Sequence, residues 1–216
     1  MPKFDHVGDV SPSLLLELAP RERVLVRVDS VRYRDPTIAV DRVKYTYPNP
    51  SGRIPRTLWH YFESLDGPGT ATVSTGIVGE VRLGQLGPGQ SVLLHGAALL
   101  AHEATMSFDL VALASYSMPR SLIAHYLMAA RLTGPGSFAY QTHGNALTFA
   151  LKPGETIRTD PASLLSLTPG MPLRVSVFGG SPHFPPLHYF PLVDVTGPGT
   201  VLVHSGRLLY APGGGE

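Results

Sequence analysis

The chain of 216 residues contains no cysteine. That absence removes disulfides, thiolate nucleophiles and cysteine-ligated metals from consideration. Charge is scarce as well: Asp, Glu, Lys and Arg make up 15% of the residues, against about 25% in a typical soluble domain. Seventeen basic and sixteen acidic side chains leave a formal net charge of +1, so no global field draws the chain toward nucleic acid or anionic lipid. No apolar run approaches the roughly 18 residues that cross a bilayer as a helix. The most apolar stretch, 91–101, is interrupted by His95 and Gly96. The first residues, Met1-Pro2-Lys3-Phe4-Asp5-His6, lack the apolar centre of a signal peptide, so a cytoplasmic location is expected.

What charge there is lies unevenly. Residues 1–66 hold ten basic and nine acidic side chains, out of 17 and 16 in all, which leaves seven of each for the remaining 150 residues. A surface so poor in charge from residue 67 onward is expected to be partly covered, and a homo-oligomer is the least demanding way to cover it. The abundant residues are Gly, 23, and Pro, 21. They punctuate short apolar runs, a pattern that suits many tight turns.

The turns recur. Gly-Pro-Gly stands at Gly67-Pro68-Gly69, Gly134-Pro135-Gly136 and Gly197-Pro198-Gly199, with steps of 67 and 63 residues. A second mark, Leu18-Ala19-Pro20, Leu86-Gly87-Pro88-Gly89 and Leu151-Lys152-Pro153-Gly154, has its prolines 68 and 65 apart. A third, His60-Tyr61, His125-Tyr126 and His188-Tyr189, is spaced by 65 and 63. Three independent marks on nearly one period indicate three pseudo-repeats of roughly 65 residues, about 14–78, 79–145 and 146–208. The runs between marks are short and either alternate or are wholly apolar, as in Val24-Leu25-Val26-Arg27-Val28 and Thr200-Val201-Leu202-Val203. Proline sets φ and glycine supplies positive φ, so a type II turn is expected at each Pro-Gly. The fold class expected is all-β, an antiparallel β-sandwich or double-stranded β-helix-like arrangement, in a single domain over 1–210. Residues 121–132 carry good helix formers but are assigned to strand, because the corresponding 57–65 and 187–195 are strand-like. Residues 48–56 and 179–186 read as exposed loops, and 211–216 as a disordered tail.

The unit Leu151-Lys152-Pro153-Gly154-Glu155 and the closing Gly197–Gly206, Gly-Pro-Gly-Thr-Val-Leu-Val-His-Ser-Gly, resemble the altered inheritance of mitochondria protein 24 family. The resemblance covers roughly residues 14–207. It implies a repeated β fold akin to the tryptophan RNA-binding attenuation protein, and eukaryotic relatives linked to mitochondrial inner-membrane organisation. It implies no activity, cofactor or catalytic residue. The chain departs from the family in one respect: the Gly-Gly-Glu-Gly segment usual before the aromatic pair survives only as Gly179-Gly180.

No residue set spells out catalysis. There is no Gly-x-Ser-x-Gly elbow, and Gly-Pro-Gly makes no phosphate cradle, because proline lacks the N–H and no Gly-Lys-Ser/Thr follows. Neither an enzyme nor a cofactor is expected. If the copies obey a pseudo-threefold axis, His60, His125 and His188 occupy equivalent places, and three imidazoles near one axis would suit a zinc-like ion with an open fourth position. The plainer reading is a strand residue copied three times, with no recurring carboxylate to support a metal. His183 and His188 are separated by two prolines, which preclude the helix that would bring them together. The His-x-His grammar of cupin metal sites is missing, and His95 and His102-Glu103 do not reproduce it. Arg21, Arg23, Arg27, Arg32, Arg34, Arg42 and Lys44 cluster in the first copy, but Glu22, Asp29, Asp35 and Asp41 interleave with them. A self-neutralising face is expected there and nucleic acid is not. The role this adds up to is a non-catalytic scaffold or interaction protein. A metal- or small-molecule-binding protein and an RNA binder are the alternatives.

Overall fold

The computed structural model of the chain describes residues 1–7, 12–45, 60–74, 76, 78–113, 128–178 and 190–205. Among these, nineteen strands, numbered in chain order, form four sheets in which every pairing is antiparallel. The first sheet runs β1 (Lys3–Val7), β2 (Ser13–Leu18), β7 (Gly69–Val73), β4 (Val31–Arg34). The second runs β5 (Ala39–Tyr45), β6 (His60–Asp66), β3 (Arg23–Arg27), β10 (Leu99–Glu103), β13 (Gly136–Gln141), β8 (Val81–Leu86). The third runs β11 (Ser107–Ala112), β12 (Met128–Thr133), β9 (Ser91–His95), β16 (Leu164–Leu167), β19 (Gly199–His204), β14 (Ala146–Leu151). The fourth holds β15 (Thr156–Thr159), β18 (Phe190–Thr196) and β17 (Leu173–Phe178). The all-β sandwich expected from the sequence is borne out. Met128–Thr133 is strand, as assigned, whereas residues 121–127, both expected loops and the tail lie outside the described residues.

Side-chain alternation explains the stacking. Successive residues of a strand point to opposite faces, so Val24 and Val26 join one apolar cluster with Leu14, Leu16, Leu65, Ala71 and Val73 between the first and second sheets. Leu25 faces the other way, meeting Phe62, Phe138, Leu94, Ala130 and Leu132 between the second and third. In β9 the same split sends Leu94 into that cluster and Leu93 into a further one with Val193, Val195, Val201 and Val203, between the third and fourth sheets. A strand sandwiched between two cores has no face left for water, so β10 (Leu-Leu-Ala-His-Glu) and β16 (Leu-Leu-Ser-Leu) are buried throughout. This is why their sequences do not alternate.

The two turn marks of the sequence meet in space. The N–H of Gly67 donates to the carbonyl of Glu22 (2.9 Å), that of Gly134 to Gln90 (3.0 Å) and that of Gly197 to Glu155 (2.8 Å). The side chains of the same acceptor residues fold back on their own turns, taking the N–H of Ala19 (2.9 Å), Gly87 (2.8 Å) and Lys152 (2.7 Å). A Cβ on Gly67 would lie 2.3 Å from the carbonyl oxygen of Ala19, so only glycine lets the hairpins touch. The type II geometry expected at Pro-Gly is met at Pro88-Gly89, Pro153-Gly154 and Pro169-Gly170, where the glycine φ is 74°, 82° and 87° and the N–H groups of Gln90, Glu155 and Met171 donate back to the carbonyls of Gly87, Lys152 and Thr168, but not at the Gly-Pro-Gly marks. The three Gly–Pro peptides are cis, and Gly69, Gly136 and Gly199 have φ of 142°, 153° and 148°, far from the +80° or so of a type II turn. Close packing against the neighbouring turn dictates the conformation here.

Candidate functional site

Of the three His-Tyr pairs, only the backbone of His60 and Tyr61 is described, at the start of β6, where His60 pairs with Tyr45 and Tyr61 with Lys44. His125, His183 and His188 lie outside the described residues, and so does any convergence of His60, His125 and His188. Among the described residues, no group of three His, Asp or Glu side chains is placed to hold a metal ion.

Three basic residues of the first copy are engaged within the fold. Arg23 pairs with Asp66 across the β3·β6 ladder (2.5 Å), the Arg27 guanidinium donates to the carbonyl of Ala97 (2.6 Å), and Arg34 donates to that of Ile38 (2.9 Å). Tyr33, exposed between Arg32 and Arg34 on β4, donates its hydroxyl to Asp35 (2.8 Å). Asp35 also accepts from the backbone and hydroxyl of Thr70 (2.6 and 2.7 Å), and these bonds hold its carboxyl below the usual range. Its acidity serves the turn after Gly69, as Glu103 does by accepting the N–H of Ser137 (3.0 Å) and Thr168 by accepting that of Thr200 (2.9 Å). Polar side chains at one place beside three turns thus satisfy backbone donors.

The histidines that matter structurally are ones the sequence did not single out as a group. His95, His102 and His204 are 6%, 0% and 3% exposed. His95, at the end of β9, takes the N–H of Ala97 on Nδ1 (3.3 Å), and His204, at the end of β19, takes the N–H of His143 on Nδ1 (2.8 Å). A neutral imidazole whose Nδ1 accepts carries its proton on Nε2. Nε2 of both rings is buried without a protein partner. Such rings present N–H donors, not the lone pair a metal needs, so they are poor ligands as placed. His95 also lines a shallow recess with Leu93, Ala129, Leu164 and Ser166. His102 is held differently: its Nδ1 lies 2.9 Å from the carbonyl of Glu103, while its ring meets Phe62 edge-on at 5.1 Å and stacks on Phe108 at 6.0 Å.

Burial is the main cause that pushes all three below the ordinary imidazole range, to about 4. The charge of Arg27 adds to it at His95, and those of His95 and His143 at His204. These imidazoles are therefore neutral at pH 7. The signal for them in the sequence was a titratable residue inside an otherwise apolar run, as at Val92-Leu93-Leu94-His95.

Stacked antiparallel sheets sharing three apolar clusters, with polar side chains spent on turns, define an all-β sandwich protein. The chain belongs to the Mitochondrial biogenesis AIM24 family, whose model matches residues 4–206. Its fold is similar to the crystal structure of protein SPYM3_0169 from Streptococcus pyogenes, with a TM-score of 0.73 and 16% sequence identity, over 96% of this chain and 95% of that one. Comparison with curated proteins gives no match. Among the described residues, no helix is long and apolar enough to cross a membrane.

Proposed function

We propose that this chain is a non-catalytic β scaffold, cytoplasmic and homo-oligomeric, that presents sheet surfaces to a protein partner in a membrane-associated assembly. The observation that carries the reading is where large apolar side chains are left in water. Tyr33 (56% exposed), Leu83 (48%), Leu147 (49%) and Phe149 (38%) all lie on strands at sheet edges, where both backbone and side chains are free to engage another chain. The membrane placement rests on the family resemblance, which implies eukaryotic relatives linked to mitochondrial inner-membrane organisation; the family description itself names mitochondrial biogenesis.

The same reading treats residues 14–78, 79–145 and 146–208 as three copies of one unit. It is supported by the recurring pairings β2·β7, β8·β13 and β14·β19, in which Leu18, Leu86 and Leu151 lie opposite Gly69, Gly136 and Gly199. The connections β3·β10 and β9·β16 join one unit to the next in the same way.

Native mass spectrometry of protein purified from its own host tests the proposal by reporting subunit count, bound metal and co-purifying protein together. Oligomers, alone or with a stoichiometric protein partner, are expected. A monomer carrying one metal ion per chain overturns the reading in favour of a metal-binding protein.

A further inference from the structure

Among the described residues, eight strands end a sheet with one side unpaired: β1, β4, β5, β8, β11, β14, β15 and β17. An open edge is a template for pairing with another chain, and proteins usually blunt it with charge. Seven of the eight contain at least one Asp, Glu, Lys or Arg. The exception is β14, Ala146-Leu147-Thr148-Phe149-Ala150-Leu151, whose residues 147–150 are all exposed.

The register of β14 shows what belongs beside it. Leu151 lies opposite Gly199 as Leu18 lies opposite Gly69, so Leu147 and Phe149 correspond to Leu14 and Leu16. In β2, Leu14 and Leu16 are 0% exposed, whereas Leu147 is 49% and Phe149 38%. The two strands also differ on their outer side. There β1 pairs antiparallel with β2, Phe4 opposite Leu16, and Phe4 packs on the same apolar cluster. On the outer side of β14 no strand among the described residues pairs.

We propose that β14 pairs antiparallel with β14 of a second copy of this chain across a two-fold axis, joining two six-stranded sheets into one. The absence of charge identifies the occupant. In a two-fold contact the same strand lies on both sides of the axis, residue i meeting j and j meeting i, so an edge strand whose charges are of one sign brings like charges into a single contact, which is unfavourable. β14 escapes that conflict and is complementary to its own copy. The inference rests on the self-association in the functional reading above and names its surface.

The test uses Thr148→Lys and Thr148→Glu, on an exposed side chain near the centre of β14. Light scattering and native mass spectrometry should find wild type dimeric, and each variant folded by circular dichroism but weakened in dimerisation by about tenfold or more. An equimolar mixture of the two variants should restore the dimer as a heterodimer, because Lys then lies near Glu across the axis. A monomeric wild type overturns both this inference and the oligomeric scaffold. An oligomer that tolerates Thr148→Lys, or a mixture of folded variants that stays monomeric, overturns the β14 interface and leaves the scaffold reading standing.

Discussion

The backbone N–H of His143 donates to Nδ1 of His204 at 2.8 Å, which places the proton of that buried ring on Nε2 and commits it to the neutral state. His95 is committed in the same manner by Ala97, and Arg27 is a further positive charge acting on it. Protonation at these sites is opposed by burial first and by neighbouring positive charge second.

Acid lability follows, and its sign is fixed. The unfolded imidazole binds a proton near pH 6.5, whereas His95, His102 and His204 in the folded chain do so only near pH 4. Between those values the unfolded state holds more protons, so stability is full above pH 6.5 and falls as pH drops toward 4. His95 and His102 would each account for a loss of about 3 kcal/mol across that window. Urea midpoints measured from pH 7.5 to 4.5 should decline already between pH 6.5 and 5, above the carboxylate range. A flat profile there contradicts the burial of these rings.

His102→Leu separates one ring from the rest. Its Nε2 is buried among Phe62 and Phe108 with no donor, and the Glu103 carbonyl that its Nδ1 faces keeps a second bond from the N–H of Met106 (3.1 Å). Removing the ring therefore strands no partner, and replacing an unsatisfied buried polar group with an apolar one is neutral or stabilising. Thermal and urea unfolding should show little change at pH 7.5 and a gain of about 1–2 kcal/mol over wild type at pH 5. Equal effects at both pH values would count against a neutral His102.

Glu103 tests the turn chemistry. Its carboxylate accepts the N–H of Ser137 at 3.0 Å while itself only 5% exposed. Glu103→Ala leaves that donor without its acceptor and should cost about 1–2 kcal/mol in urea unfolding. Glu103→Gln keeps a side-chain oxygen in place and should stay near wild type. If both variants lose the same amount, the carboxylate is needed for its charge and the hydrogen-bond account is wrong.

The contact of Gly84 with Phe138 makes a packing prediction. A Cβ on Gly84 would fall 2.2 Å from Cζ of the Phe138 ring, which is 5% exposed and lies directly opposite in the ladder. Gly84→Ala should destabilise by about 1–3 kcal/mol through overpacking. In the Phe138→Leu background the same change should cost much less, a coupling that a double-mutant cycle would measure. Additive losses would mean that the ring moves aside freely.

Much of the architecture was legible in the residues themselves, because it is local. Strand character follows from β-branched and apolar runs between Gly and Pro, and the two-residue period sent Val24 and Val26 one way and Leu25 the other. The positions of the turns followed from Gly67-Pro68-Gly69 and its two counterparts, though not their type, since the facing Leu18–Glu22 hairpin and its equivalents dictate the backbone there. Family membership followed from the same marks.

Other features depended on residues far apart in the chain. The sequence weighed His60, His125 and His188 for their spacing, yet burial singles out His95, His102 and His204, which share no period. Burial is decided by which sheets stack on a strand, and that information is carried by the partners rather than by the strand. The same holds for β2 and β14: each offers alternate apolar residues, but among the described residues β1 covers the edge of β2 and no strand covers that of β14. An apolar strand states that it should be covered, and only the tertiary arrangement decides whether the chain itself supplies the cover.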